Sequence, residues 1–512
     1  MAAGRKLLPM ADPRLPLQKF AWLVRAIRSF HHDADLRNTV RFTDVLNRSL
    51  TEPLKPATVN RLETGQADFT IERCRAYEDV LQLEPLDLVD CYLYACRLEN
   101  RTPKTRMSSL RETTGAEMEL IWNIASGEEL NPEQWLRMAY LFRNRPDLFS
   151  SARVRERFLH HLLDSAGNCY EKEERLVREI LITTGEEIVP LLRERIKEQP
   201  LRYFNMCESF GFIPNRAGRD FLVRLFGETQ DGAVTANILE SIRRNMQVQH
   251  EGFEDLAGDA GALRHYAVAA LNRTDEFYTA REESLTFLRW ARVDLTPRER
   301  TQMSQVGEDI TQLEVRTTAA RRKEVVHEIG RRFSGILADS ALPETGLPSH
   351  VPGLRHFVED ALFAADRVGR LSASVLVRPW PLSKMLGAAV GKTLLDTVEA
   401  KEYGIQRASV RFLTKLMHPE CLDPVRKIGW SNVRDDSVRL TVGWALGTGT
   451  ADRDSQLLEH LGRTATTTPT RRVVAIAAAR LGAAHILEEL AQSKDPEAAA
   501  SARQFMGSAR TQ

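Results

Sequence analysis

Apolar residues recur at helical spacing along almost the whole of this 512-residue chain, and strand-like alternation is scarce. Side chains three and four apart share one face of an α-helix, whereas a strand changes face at every residue. In "KFAWLVRAIRSF" the apolar set is Phe20, Leu23, Val24 and Ile27. In "IERCRAYEDVLQL" it is Ile71, Cys74, Tyr77, Val80 and Leu81. The stretches "PEQWLRMAYLF", "EEIVPLLRERI" and "TANILESIRRNM" continue the pattern further along. An all-α fold is therefore expected.

At ~150 residues per domain, the length allows roughly two to four domains, each able to bury a core without a metal or disulfide. Six cysteines stand at 74, 91, 96, 169, 207 and 421, with no CxxC pair. That thin spread fits reduced thiols used as small core residues. No stretch approaches the ~20 uninterrupted apolar residues of a membrane span. The opening "MAAGRKLLPMADPRLP" has no apolar block after it, so no signal peptide is expected. A cytoplasmic, nucleoid-associated protein without a cofactor is the expectation. Arginine outnumbers lysine 58 to 13, a bias typical of GC-rich bacterial genomes.

Polar, proline-bearing stretches mark candidate boundaries. "ENRTPKTRMSSLRETTG" (99–115) reads as a hinge, and "LADSALPETGLPSHVPG" (337–353) as a loop or linker. The expected organisation is an N-terminal module at 1–99 and a linker at 100–115. A helical middle domain at 116–336, a linker at 337–353 and a helical C-terminal domain at 354–512 follow. Within the middle domain, the charged stretch 296–336 reads as one or two exposed helices. Near the C-terminus, "IQRASVRFLTKL", "DDSVRLTVGWALG", "PTRRVVAIAAARLG" and "DPEAAASARQFMG" share a texture of arginine, alanine and a closing leucine or glycine. Arg407, Arg439 and Arg472 are 32 and 33 residues apart. Helical hairpins at such a period stack into solenoids. These segments loosely resemble HEAT-like repeats, which implies an α-solenoid-like region with an extended surface for a peptide, protein or small-molecule ligand.

The segment "LKPATVNRLETGQADFT" (54–70) carries the sharpest functional signal. Pro56 suits the first position of a helix, where its missing N–H costs nothing. Val59 and Leu62 share an inward face, and Gly65 reads as the left-handed stop. Ala57, Thr58, Asn60 and Arg61 lie on the outward faces, small except for Arg61. Low bulk suits a helix entering a major groove about 12 Å wide. Before it, "TDVLNRSL" (43–50) reads as a helix, giving a helix, a turn of about four or five residues and a second helix. The full expected order is 20–30, 43–50, 56–64, 70–81 and 85–97.

This order resembles the five-helix lambda-repressor-like, or XRE-type, helix-turn-helix domain, over residues ~18–97. "PATVNRLETG" matches the family's recognition-helix pattern, and "EPLDLV" its closing helix. The resemblance implies that Pro56 and Ala57 sit over base edges. Arg61 would reach a guanine or a phosphate, and Thr58 and Asn60 would touch bases or backbone. Thr43 would grip phosphate from the start of the second helix. Glu63 would pair with an arginine of the first helix, here Arg28, as a structural ion pair. Three positions depart from the pattern. Lys55 replaces the usual polar N-cap, at ~1 kcal/mol of capping, and puts a cation near phosphate. Gln66 and Asp68 stand where phosphate contacts often occur, and Asp68 would repel a phosphate it faced.

The chain is almost neutral, at net +1, so any attraction to nucleic acid must be local. It is: residues 1–61 carry net +6 and residues 62–99 net −6. Arg101, Lys104 and Arg106 extend the basic side into the linker.

Other motifs carry less. "GAAVGKTLL" (387–395) has Leu386 where a phosphate loop needs glycine, so a helix packed through small residues is the better reading. His31–His32, His160–His161 and His418–Cys421 lack a second pair at structural-zinc spacing, and no metal is expected. No GxSxG or HExxH occurs, and an enzyme is not expected. Trp290, Trp380, Trp430 and Trp444 read mainly as core residues. The sequence thus points to a DNA-binding transcriptional regulator acting as a homodimer on an inverted-repeat operator of double-stranded DNA, with a helical C-terminal part for oligomerisation or sensing. Two alternatives stand beside it. One is a helical-repeat interaction scaffold with a degenerate helix-turn-helix; the other is a HEAT-like protein that wraps DNA.

Overall fold

The structure is a computed structural model. It describes residues 15–29, 31–104, 115–126, 130–168, 172–229, 232–249, 251, 253–256, 259–271, 278–291, 296–301, 303–305, 318–339, 354–364, 367–416, 418–431 and 435–509. Among these residues every regular element is a helix and no strand occurs. None of their helices is long and apolar enough to cross a membrane.

The chain forms two compact units, each built from two separate stretches. The first comprises 1–107 and 314–449, the second 108–313 and 450–512. These units cut across the boundaries read from the sequence. Residues 354–449 join the N-terminal helices, while 450–512 join the earlier middle segment. Most of the expected linkers, at 105–114 and 340–353, lies outside the described residues.

In the first unit the N-terminal helices are α1 (Pro16–Ser29), α2 (Ala34–Arg37), α3 (Thr39–Leu46), α4 (Pro56–Glu63), α5 (Ile71–Leu81) and α6 (Asp87–Leu98). The apolar stripe of α1 builds their core: Phe20, Leu23 and Val24 are fully buried. Phe20 meets Phe69 edge-on at 5.1 Å, and Phe42 lies 4.9 Å from Tyr77. Each such aromatic side chain buries about 150–250 Å² and dominates the local packing.

The far sides of α1 and α6 are not left to water. Trp22 of α1 lies 4.8 Å from Phe357 of the helix Leu354–Phe363, and buried Lys19 pairs with Asp360 at 2.7 Å. From α6, Asp90 accepts from Arg378 at 2.8 Å, and the Cys91 thiol donates to the Val375 carbonyl at 3.5 Å. This covering makes the N-terminal helices part of a larger body.

The rest of the first unit includes the helices Ala319–Ala338, Ser383–Asp396, Tyr403–Leu416, Leu422–Trp430 and Asp436–Leu446. Ala319–Ala338 is not a wholly exposed helix, because Val325, Val326, Ile329 and Phe333 are buried. The "GAAVGKTLL" segment lies inside Ser383–Asp396. A Cβ on Gly387 would collide with Cys421, and one on Gly391 with Pro424, so both glycines serve close packing. In the second unit, Thr468–Arg480, Ala484–Ala491 and Pro496–Ala509 pack on one another. Each of the four repeat-like segments near the C-terminus contributes one helix.

The described cysteines 74, 91, 96, 207 and 421 are free and buried; Cys169 lies outside the described residues. Among the tryptophans, Trp380 is buried, whereas Trp430 is 53% exposed and is not a core residue.

Candidate nucleic-acid interface

The helix α4 is short, and neighbours hold it in place. Val59 and Leu62 are fully buried against α1 and α3. An isolated helix of eight residues would not persist in water, so these two side chains and the Glu63 pair fix it. At its start Lys55 is extended (φ −92°, ψ 151°) and supplies no side-chain cap, and Pro56 follows at the first helical position. At its end Thr64 donates its hydroxyl to the Asn60 carbonyl at 2.8 Å, and Gly65 turns the chain with φ 69°. The backbone N–H groups of Gln66 and Ala67 then return to the Arg61 carbonyl at 2.8 and 3.0 Å.

Glu63, at 0% exposure, receives two bonds from Arg28, Nε to Oε1 at 2.6 Å and Nη2 to Oε2 at 2.7 Å. Arg28 also donates to the Arg37 carbonyl at 2.7 Å and to the Thr39 hydroxyl at 3.3 Å. The Tyr77 hydroxyl donates to Glu63 at 3.4 Å. One forked ion pair therefore ties α1, the α2–α3 corner, α4 and α5 together. Burial works against the Arg28 charge, but Glu63 outweighs it and holds the guanidinium above its ordinary pKa. The cost of desolvating both charges offsets much of their attraction, so such a pair adds little net stability, whereas losing one partner is expensive.

Outward, Lys55, Ala57, Asn60, Arg61 and Gln66 are exposed, and Pro56 and Thr58 are half-buried. Thr43 differs from expectation. It is 1% exposed, sits in the middle of α3 and donates its hydroxyl to the Thr39 carbonyl at 2.6 Å. Buried and bonded within its own helix, Thr43 does not grip phosphate as the resemblance implied. The cause is register: α3 spans Thr39–Leu46 rather than 43–50, with Asn38 as its cap, accepting from the Val40 N–H at 2.9 Å. The turn before α4 is correspondingly longer, residues 47–55. Asn47 closes it by donating to the Leu54 carbonyl at 3.0 Å and accepting from the Leu54 N–H at 2.7 Å.

The same register exposes two cations that the sequence reading passed over, Arg41 on α3 and Arg48 in the turn. Among the described residues the side chains of Arg41, Arg48, Lys55 and Arg61 have no hydrogen-bond or ion-pair partner. Val40, 55% exposed, stands beside Arg41. An asparagine followed by "TVRF" is a helix-start signal that would have located these residues.

Asp68, in the turn after α4, has partners of its own. It pairs with Arg101 at 2.9 Å and Lys104 at 2.5 Å. Lys104 foremost, with Arg101, holds its carboxyl below the usual carboxylate range against some desolvation. These two linker cations are thus engaged within the protein. Arg106 lies outside the described residues.

Among the described residues no three His, Cys, Asp or Glu side chains stand together as a metal site. His31 stacks on His32 at 4.1 Å, and the His418 Nε2 lies 2.8 Å from the Ser383 hydroxyl. A cleft of about 120 Å³ opens between the start of α1, Gly65–Phe69 and Glu99–Lys104.

No protein-family model matches the chain. No curated protein matches it either. Among solved structures, the crystal structure of an engineered protein is similar over 77% of this chain and 98% of its own, at 15% identity and a TM-score of 0.22. A superposition that poor carries no argument about fold or function.

Proposed function

We propose that the chain is a sequence-specific, double-stranded-DNA-binding transcriptional regulator that reads base edges with the outer face of α4. One observation carries this reading: α4 is anchored from behind by Val59, Leu62 and the Glu63–Arg28 pair, yet presents Ala57, Asn60 and Arg61 unpartnered to solvent. A helix fixed on one side and small on the other meets the steric demand of a major groove. Lys55 and Arg61 at its two ends, with Arg41 and Arg48 on the adjoining elements, supply cations for phosphates on either side. In this reading two copies act as a homodimer on an inverted repeat, because one short recognition helix reads only a half-site. The large helical remainder then serves oligomerisation or sensing of a peptide, protein or small molecule. HEAT-like stacking of its C-terminal helices belongs to the same proposal.

A second reading, an interaction scaffold that does not engage DNA, draws on the covering of α1 and α6 by residues 357–378, which makes the N-terminal helices part of a larger body. Selection of duplexes from a genomic pool by the intact protein separates the two. Enrichment of a common motif, with a footprint of two half-sites about one helical turn apart, supports the regulator. Absence of any bound duplex at low salt contradicts it and leaves the scaffold.

A further inference from the structure

The face proposed to meet DNA ends at the turn that leaves α4, and at that turn the chain holds an acidic residue between two bases. The Ala67 N–H is bonded to the Arg61 carbonyl at 3.0 Å. The Asp68 Cα is therefore no more than about 8 Å from that oxygen, given the fixed spacing of consecutive residues. Asp68 and the charges around it thus stand at the end of α4 that carries Arg61. Those charges are Arg101 at 2.9 Å, Lys104 at 2.5 Å, Arg73, whose Nη1 donates to the Asp68 carbonyl at 3.1 Å, and Glu99, 4.0 Å from Arg101.

The two ion pairs are not needed to hold the strap 101–104 in place. Its backbone is tied independently, by the Ile71 N–H to the Lys104 carbonyl at 3.1 Å and by the Lys104 N–H to the Tyr92 hydroxyl at 3.1 Å. That hydroxyl in turn donates to the Phe69 carbonyl at 2.8 Å. Half-exposed pairs of this kind add little to stability. What they do change is charge: two solvent-exposed cations are bound to a carboxylate.

We propose that Asp68 is a built-in competitor of the DNA backbone, withholding Arg101 and Lys104 from phosphate and so holding the affinity and salt sensitivity of DNA binding below what the fold could deliver. The proposal rests on the DNA-binding reading above. It makes Asp68 a determinant of affinity, although Asp68 contacts no nucleic acid itself.

The test uses the full-length chain and a labelled random-sequence duplex titrated across a sodium chloride series, because each cation engaged with phosphate adds about 0.9 to the slope of log affinity against log salt. Asp68→Asn keeps the size of the side chain and leaves the backbone ties of the strap in place. It is expected to bind more tightly at low salt, with a slope steeper by about 1 to 2. The triple variant Asp68→Asn/Arg101→Ala/Lys104→Ala is expected to return to the wild-type slope. Arg101→Ala/Lys104→Ala in the wild-type background, which removes cations already withheld, is expected to leave the slope unchanged. An Asp68→Asn slope equal to or shallower than wild type overturns the proposal while the DNA-binding reading stands. A double variant with a shallower slope than wild type overturns it as well, because the cations were then already in use. If wild type and all variants fail to bind at low salt, the DNA-binding reading fails and takes this proposal with it.

Discussion

At the scale of single residues, the Arg28–Glu63 pair decides whether α4 has a fixed orientation. Both side chains are buried, and the guanidinium has Glu63 as its counter-charge. Glu63→Gln keeps the shape but leaves a buried cation uncompensated, which costs about 3–5 kcal/mol. Urea unfolding of the variant is expected to show that loss, while Arg28→Met/Glu63→Leu, which removes both charges, loses less. A Glu63→Gln variant within about 1 kcal/mol of wild type would mean that other contacts hold α4. This pair was legible in the sequence because the family pattern that "PATVNRLETG" resembles has an acidic residue at the position of Glu63, and α1 offers Arg28 opposite. Thr43 was not legible, because its exposure depends on where α3 begins, and a helix shifted by about one turn moves the same residue from an end to the interior.

At the scale of elements, the order of the N-terminal helices follows from apolar spacing and from Pro56 and Gly65. Their ends depend on caps that the spacing does not register. Asn38 starts α3 early, and the Asn47 clamp lengthens the turn before α4. A further cap links α5 to α6. Glu78, 3% exposed on α5, accepts from the N–H groups of Leu86 at 3.1 Å and Val89 at 2.8 Å, at the start of α6. Burial pushes its pKa from an ordinary 4.5 up to about 7, against the pull of those backbone donors. The folded state thus holds the proton more tightly than the unfolded state. The stabilisation from protonated Glu78 is complete below pH 4.5 and lost as pH rises through 7. The difference is on the order of 3 kcal/mol. Glu78→Gln keeps an acceptor for α6 and cannot ionise. Subtracting its stability–pH curve from that of wild type is expected to leave a fall across that window. A flat difference would show that Glu78 does not titrate there.

At the scale of the whole molecule, the all-helical character was legible because it depends only on local periodicity. The division into units was not, since it rests on pairings such as Lys19 with Asp360 and Asp90 with Arg378, 341 and 288 residues apart in sequence. Charge and apolar spacing identify such residues as able to pair but not with whom. The outward face of α4 was legible for the opposite reason, since the helical period alone turns Asn60 and Arg61, one and two residues after Val59, away from the face shared by Val59 and Leu62. The claim that this face reads DNA is tested most directly by the affinity of the intact protein for its selected duplex and for a scrambled one, each measured with wild type and Arg61→Ala at one salt concentration. Loss of about 1–3 kcal/mol on the selected duplex, with a smaller loss on the scrambled one, is the predicted result. Equal affinity and equal selectivity of the two proteins would contradict it.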